Sequence, residues 1–446
     1  MSNDIISVFV TSFDVKKGNE LLWNENLQNE NQIGNEIVDL TNIEFKTLPS
    51  GLHEAKDLDV VQFIVPKKNT KTFNEHFQGI SVFKSNASEC AAKSYSTHVD
   101  RSLLEMYSLG IALRTSATDP YSYVGILKEL IQTIDIKARN FGNLRDCLVK
   151  FKLTPDNQTK RYLPTGLFKD LGPLIFPLWK ACLLNERIII INEDYAYSFD
   201  DLSTLVYYLF TISNGLEEPF YNIGLHDMSY LENKYISEEY NGNDNGEVKG
   251  YVASTGDSIV KEWTIPLYDK LLVLKKNEIG MYNYYQKRIQ VTPLDLWKMR
   301  GSKINPHNVE NRSWFQFFID NLYLILSLGT IAPPYQQKFL KTGFDRSTGN
   351  ESEDSGLLNY EGGIEPPIDM DIFRTRTEKV LNCINEFLQR DESSVASKNI
   401  ILSSELMKLG LDGFSNQDID FVKRLANKID NTKNVSVKWF DTKLFL

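Results

Sequence analysis

The stretch GLFKDLGPLIFPLWKACLLNERIIII, residues 166–191, decides how the rest of the sequence is interpreted. Pro173 suits the first turn of a helix, where the missing proline N–H has no partner to lose. Apolar residues then recur at the i, i+3, i+4, i+7 spacing of one helical face. They are Ile175, Leu178, Trp179 and Cys182, with Leu183 widening the stripe. Because proline disrupts a helix interior, we expect a break or a late helix start at Pro177.

The end of this stretch has a different pattern. Glu186 and Arg187 precede four isoleucines at 188–191, a β-branched run that is typical of a strand buried on both faces. A helix that leads directly into a buried strand predicts the centre of an α/β domain. We interpret Arg187 as an ion-pairing or capping residue at the strand entrance, and Trp179 as a core residue because it lies on the apolar stripe.

Composition limits the classes of function. The chain has 446 residues, 42% hydrophobic content and a formal net charge of −10, and a chain of this length usually forms two or three domains. The acidic balance argues against sequence-independent nucleic-acid binding and against membrane attachment through a broad basic patch, though not through a local one. The cysteines are scattered and the N-terminus lacks a signal-peptide pattern, so we expect a cytosolic protein.

The N-terminal third has the pattern of a small α+β module. Strand-like runs alternate with polar loops, and Gly18 closes a turn in which it is free to take a positive φ. A helix is predicted over residues 121–140, with Asp119 as its N-cap. The predicted strand-like runs are residues 4–13, 43–46, 58–65, 79–83 and 104–114.

The same signals divide the rest of the chain. Residues 153–165 are predicted to be a linker, and residues 197–213 a helix with Ser198 as its N-cap. The apolar run 314–334 is predicted to be a packed helix rather than a membrane span, because Asp320 lies within it. Further predictions are loops at 229–249 and 341–367, a strand at 435–440, and helices at 371–389, 403–409 and 416–430.

Three parts of this sequence resemble one known family. The motif GPLIFPLWKA followed by LLNERI, residues 172–188, is similar to the central segment of DENN domains. Residues 13–19, 49–51 and 106–111 resemble the N-terminal, longin-like part of DENN proteins, with the LCHN-type branch as the nearest match. Residues 409–414 and 418–421 resemble the closing segment of the same branch.

The resemblance implies an architecture that combines α/β and α+β parts. An N-terminal longin-like (upstream DENN) module is expected over residues 1–152, and a central α/β DENN domain over residues 160–291. A mostly helical C-terminal (downstream DENN) part is expected over residues 292–446, with a flexible loop at 341–367.

The sequence patterns of bond-making enzymes are missing. No glycine is followed by lysine, which excludes a Walker A phosphate loop, and there is no Gly-x-Ser-x-Gly, His-Glu-x-x-His or Cys-x-x-Cys motif. The histidines are isolated, so we interpret them as loop or surface residues rather than metal ligands. We therefore assign no catalytic, cofactor-binding or metal-binding residue, and we expect no cofactor and no covalent chemistry.

The resemblance implies guanine-nucleotide exchange on a Rab-type small GTPase in membrane traffic. An exchange factor acts by preferring the nucleotide-free GTPase, which requires a binding surface and no reactive side chain. We expect that surface where the N-terminal module meets the central domain. Two alternatives stay open: a GTPase-activating factor that supplies Arg101 or Arg114 to the γ-phosphate, and a trafficking scaffold. We expect the cytoplasm, with at most peripheral membrane association, and no nucleic-acid partner.

Overall fold

The computed structural model contains two five-stranded sheets with helices packed on them. No helix in the described part of the chain is both long enough and apolar enough to cross a membrane. The predicted packed helix at 314–334 and the predicted loop at 341–367 lie outside the described residues. The described residues are 5–27, 38–48, 57–67, 76–86, 104–114, 119–135, 141, 144, 161, 164–213, 216, 218–236, 250–263, 267–276, 278–298, 371–389, 400–433 and 435–438.

The N-terminal sheet is antiparallel and has the strand order β2-β1-β5-β4-β3. Helix α1 (Ile43–Thr47) packs on one face of the sheet and α2 (Val124–Thr133) on the other. Gly18 has a φ of 84°, which confirms the predicted turn. The strands are β1 (Ile5–Asp14), β2 (Gly18–Asn26), β3 (Leu58–Pro66), β4 (His76–Ser85) and β5 (Met106–Leu113).

The prediction of a strand-like run at residues 43–46 was wrong, because this segment forms α1. Ile43 and Thr47 are buried against the sheet, whereas Phe45 between them is exposed. Positions four apart share a face in a helix, but in a strand residues 43, 45 and 47 would all point the same way. Burial of the first and last positions therefore requires the helix.

Two other predicted segments differ from the structure in extent. Asp119 caps the 3-10 turn Pro120–Tyr123 that leads into α2, but α2 ends at Thr133 rather than at residue 140, because Ile134 is extended. The predicted loop at 229–249 begins as regular structure, with α6 (Leu225–Leu231) followed by the π-helical turn Glu232–Ile236. Tyr230, Leu231 and Tyr235 of this segment are buried in an apolar cluster, which explains why the segment forms regular structure. Residues 237–249 lie outside the described part.

The central sheet has the order β10-β9-β6-β8-β7 and is parallel except for β10. The four isoleucines of β6 are fully buried between its two parallel neighbours, as predicted. Ile188 and Ile190 face the helices on one side, and Ile189 and Ile191 face an apolar cluster on the other. The strands are β6 (Ile188–Asn192), β7 (Glu218–Phe220), β8 (Tyr251–Thr255), β9 (Lys270–Lys275) and β10 (Glu278–Asn283).

Three helices precede α6 in this domain: α3 (Thr165–Leu171), α4 (Ile175–Leu183) and α5 (Phe199–Ile212). Pro177 does not break α4; the helix starts late, at Ile175, so the proline falls in the first turn, where its N–H is not needed. Ser198 caps α5 as predicted, because its hydroxyl accepts the N–H of Asp201 at 3.1 Å and the Asp201 carboxylate accepts the N–H of Ser198.

The C-terminal part packs on α4 and α5. Trp179 is fully buried and donates its indole N–H to the Thr377 hydroxyl at 2.8 Å. The predicted boundaries at residues 152, 160, 291 and 292 stay predictions. The elements are α7 (Pro293–Lys298), α8 (Asp371–Leu388), β11 (Ile400–Leu402), α9 (Ser403–Lys408), α10 (Asn416–Ile429) and β12 (Ser436–Lys438), with β11 and β12 parallel.

Candidate functional site

A cleft of about 920 Å³ lies between the N-terminal sheet and the central sheet. Helix α1 and the end of β3 line one side, and the segments that follow β7 and β8 line the other, together with the start of α6. Ligands of open parallel sheets bind outside the carboxyl ends of the strands, where several loops converge. We call this site the inter-module cleft and define it by Phe45, Lys46, Ile64, His76, Leu225 and Asp227.

Lys46 joins the two sides of the inter-module cleft. Its Nζ lies 2.7 Å from the Asp227 carboxylate and donates to the Ile64 carbonyl at 2.8 Å. The Asn222 side chain donates to the Lys46 carbonyl at 2.9 Å. Asp227 also accepts the N–H of Gly224 and thereby caps α6. One lysine therefore fixes α1, β3 and α6 relative to one another.

The rims of the cleft carry exposed apolar side chains, one from each module. Phe45 on α1 is 65% exposed, and Leu225 at the start of α6 is 48% exposed. Asn42 and His226 meet between the modules at 3.2 Å. Large exposed apolar side chains at the edge of a concave surface mark an interaction site. Phe45 and Leu225 form a common surface only while the modules are docked together.

His76 lies at the side of the cleft and packs against the rings of Phe220 and Tyr230, with centroids 5.8 and 6.0 Å away. Burial lowers the pKa of His76, so its imidazole is neutral at pH 7. Within the described residues, no group of histidine, cysteine and carboxylate side chains is arranged to hold a metal ion.

Asp59 of β3 connects the N-terminal sheet to α5. Its carboxylate accepts the N–H of Phe199 at 2.9 Å and that of Asp200 at 3.3 Å, where the helix dipole favours a negative charge. Burial is nevertheless the larger effect and raises the pKa of Asp59 to about 6. Phe199 itself packs into an apolar cluster of the N-terminal sheet. The first turn of α5 is thus held by the other module.

Arg161, from the predicted linker, forms a third connection between the modules. Its guanidinium lies 4.5 Å from the ring centroids of both Tyr121 and Tyr207, so it is stacked between a residue of each module. It also donates to Gln62 at 2.9 Å and pairs with Asp119 at 2.5 Å. Its carbonyl accepts the hydroxyl of Tyr208 at 2.6 Å. We call this arrangement the Arg161 clasp.

Of the two arginines considered for a GTPase-activating role, the structure describes one, and it does not line the cleft. Arg114 follows β5, is half-buried, and is not among the described residues that line the cleft; Arg101 lies outside the described residues. Arg187 has the structural role predicted for it. Its Nε and one terminal nitrogen donate to the Asp269 carboxylate at 3.1 and 2.8 Å, and its backbone N–H donates to the same carboxylate at 2.9 Å.

The residues that define the site were not identified from the sequence. Phe45 and Lys46 lie in a segment predicted to be strand-like, and Arg161 lies in a segment predicted to be a linker. The sequence signal for Arg161 was weak. It consisted of an arginine and a tyrosine between two prolines in an otherwise polar linker. The signal for Phe45 was an aromatic residue flanked by charges, as surface-exposed aromatics often are.

Comparison with known proteins agrees with the sequence resemblance. A family model described as DENN domain-containing protein 11 matches residues 8–164 and 150–284. A protein of Saccharomyces cerevisiae described as "Uncharacterized protein ANR2" is 29% identical over 500 aligned positions, which cover 95% of this chain and 91% of that protein. The matched residues of the family model span both sheets and every residue that defines the inter-module cleft. The chain therefore belongs to the DENN-domain family represented by DENN domain-containing protein 11.

Proposed function

We propose that this protein is a guanine-nucleotide exchange factor for a Rab-type small GTPase, and that the inter-module cleft binds the GTPase. The observation that carries the proposal is the pair of exposed apolar rims, Phe45 and Leu225, supplied by different modules on either side of one cleft. Membership of the DENN-domain family supports Rab-type GTPases as the general class of partner. We propose in addition that the N-terminal module is longin-like and that the protein belongs to the LCHN-type branch.

The cleft has the properties that such an activity requires. Acceleration of GDP release depends on a surface that binds the nucleotide-free GTPase more tightly than the GDP-bound form. Exposed apolar side chains supply affinity for the partner. The buried Lys46–Asp227 pair and the Arg161 clasp fix the distance between the rims, so the surface is preorganised. None of these roles needs a nucleophile, a general base or a metal.

The proposal is tested by GDP release from a panel of Rab-type GTPases, followed with a fluorescent nucleotide. Phe45→Ser and Leu225→Ser should each lower kcat/KM on the responsive GTPase by about tenfold or more, as expected for the loss of a central apolar contact. Val15→Ser is the matched control, because Val15 is 49% exposed and does not line the cleft. Equal kcat/KM values for Phe45→Ser, Leu225→Ser and Val15→Ser would contradict the assignment of the cleft as the GTPase-binding site.

The same panel separates the alternatives. A GTPase-activating factor would accelerate GTP hydrolysis in single-turnover assays and would lose that effect in Arg114→Ala or Arg101→Ala. Because no arginine of the described residues lines the cleft, the cleft gives no support to that role. A scaffold would bind a GTPase without changing its rate of GDP release or its rate of GTP hydrolysis. Binding without exchange across the whole panel would therefore replace our proposal with the scaffold.

We propose a cytoplasmic location with peripheral association to intracellular membranes, because Rab-type GTPases act on such membranes. Fractionation of cells that express the tagged protein tests this. We expect it in the soluble fraction and, in part, in a membrane fraction that high salt or carbonate releases. Recovery in the membrane fraction only after detergent extraction would contradict peripheral association.

A further inference from the structure

The segment that follows β10 carries an aromatic pair that its own fold does not bury. Tyr285 is 75% exposed and Tyr284 is 47% exposed, and their rings meet edge to face with centroids 5.0 Å apart. The next three residues, Gln286, Lys287 and Arg288, are exposed as well. We call residues 284–288 the tyrosine turn. It is distinct from the inter-module cleft, which none of these residues line.

The tyrosine turn has a fixed backbone. The Asn283 side chain accepts the N–H groups of Tyr285 and Lys287, both at 3.0 Å, and the Asn283 carbonyl accepts the N–H of Gln286 at 2.8 Å. The Asn283 N–H in turn donates to the Lys287 carbonyl at 2.9 Å. Gln286 takes a φ of 56°, a conformation that turns of this kind require. The two tyrosines are therefore held outward by the turn.

The charge around the tyrosine turn is positive, although the chain as a whole has a net charge of −10. Between Glu278 and Asp295 the sequence contains Lys287 and Arg288 and no acidic residue. Strand pairing places Lys270 opposite Asn283 at the base of the turn, but the charge of Lys270 is offset by Glu186 at 3.5 Å, so the positive charge comes from Lys287 and Arg288. The nearest acid of the hairpin, Glu278, lies 3.7 Å from Arg288 and offsets that one charge in part.

We propose that the tyrosine turn binds an anionic membrane surface. Tyrosine suits the membrane–water interface, since its ring enters the region below the headgroups while its hydroxyl stays hydrated. Lysine and arginine beside it attract the phosphate and carboxylate groups of acidic lipids. A contact this small binds weakly and reversibly by itself, and stable attachment needs a second signal. The inference does not rest on the proposed exchange activity, since vesicle binding requires no GTPase.

The test is co-sedimentation of the full-length protein with vesicles of phosphatidylcholine alone and with vesicles that also contain phosphatidylserine. The wild-type protein should bind the acidic vesicles and should not bind the neutral ones, and binding should weaken as the salt concentration rises. Lys287→Glu should lower the partition coefficient by more than about fivefold, because it removes one basic side chain, worth roughly fivefold near the surface, and adds a negative charge. Tyr284→Ser/Tyr285→Ser should lower it by about tenfold through the loss of interfacial aromatic surface.

Lys16→Glu is the matched control. It makes the same change in net charge at another exposed turn, between β1 and β2, so it should leave the partition coefficient within about twofold of the wild type. Thermal unfolding of each variant checks that the fold is intact. An equal loss in Lys16→Glu, or full binding by the tyrosine variant, would overturn the proposal. Wild-type protein that stays in solution with acidic vesicles would also overturn it and leave a protein partner as the occupant of this surface.

Discussion

The central domain contacts its two neighbours in different ways. The C-terminal helices share one continuous apolar cluster with α4 and α5, in which Trp179 contacts the rings of Phe373 and Phe421. The N-terminal module has mostly separate apolar clusters, which the central domain enters with Phe199, and its other contacts with that domain include the polar anchors Lys46, Asp59 and Arg161. The first interface resembles the interior of a domain, and the second resembles an interface between domains.

The buried charges show the same difference. At the C-terminal interface, Lys180 lies between Asp295 and Asp418 at 2.5 and 2.6 Å, and all three side chains are buried. Burial alone would lower the pKa of Lys180, but the two carboxylates outweigh it and raise this pKa. At the N-terminal interface the ion pairs are separate from one another: Lys46–Asp227 is largely buried, whereas the Asp119 partner of Arg161 is 41% exposed. We therefore expect the C-terminal part to fold with the central domain as one unit, and the N-terminal module to be held by separable contacts.

The largest effect is expected from Lys180→Met. This change leaves Asp295 and Asp418 buried without their cation, which costs about 3–5 kcal/mol of the free energy of unfolding. Urea denaturation measures it. Lys423→Met on the exposed face of α10 is the control, and it should change the free energy of unfolding by less than about 0.5 kcal/mol. A loss below about 1 kcal/mol in Lys180→Met would mean that the C-terminal interface does not depend on this cluster.

A smaller and more local effect is expected from Arg161→Ala. The loss of two cation–π contacts and of the hydrogen bond to Gln62 should cost about 2 kcal/mol, with little from the half-exposed Asp119 pair. The change should appear as faster amide hydrogen exchange in β3 and in the first turn of α5. Arg161→Lys keeps the charge but not the planar stacking group, so it should restore only part of the protection. Uniform loss of protection in all elements would contradict a separable N-terminal interface.

The third effect depends on pH. The pKa of Asp59 is about 6 in the folded protein, above its ordinary value of 3.8, so the folded state binds this proton more readily than the unfolded state. The stabilisation from protonation is therefore complete below about pH 4 and is lost as pH rises through about 6. In Asp59→Asn this contribution is absent. The difference in melting temperature between wild type and Asp59→Asn should change across pH 4–7, in favour of the wild type at the acidic end.

The difference measurement isolates Asp59 from its neighbours. Asp200 also has a raised pKa because of burial, and burial of His76 acts in the opposite direction, but both groups remain in the variant. At a pH near 6, a change in the protonation of Asp59 would then alter the contact between β3 and α5. A melting-temperature difference that is constant over this range would show that Asp59 does not titrate within it.

The elements that the sequence predicted correctly depend on neighbouring residues. The four isoleucines at 188–191 predict a buried strand because no other element suits four consecutive β-branched residues, and Ser198 predicts a helix start because its hydroxyl satisfies an N–H three residues later. Gly18 predicts a turn for the same local reason. The DENN resemblance extended these signals to the family, because its central motif, residues 172–188, lies in the buried segment that contains Trp179 and leads into the four isoleucines.

The sequence by itself therefore determined most strands of the two sheets, the capped helix and the family, whereas β2, β7 and β10 were not predicted. The tertiary structure alone decided that residues 43–47 form a helix, because that depends on the sheet face beneath Ile43. It also decided the inter-module cleft, where Lys46 meets Asp227 across 181 residues of sequence, and the C-terminal interface, where Lys180 meets Asp418 across 238 residues. Local patterns carry no information about such contacts, because a lysine that will be buried against a distant carboxylate has the same neighbours as one that stays in water.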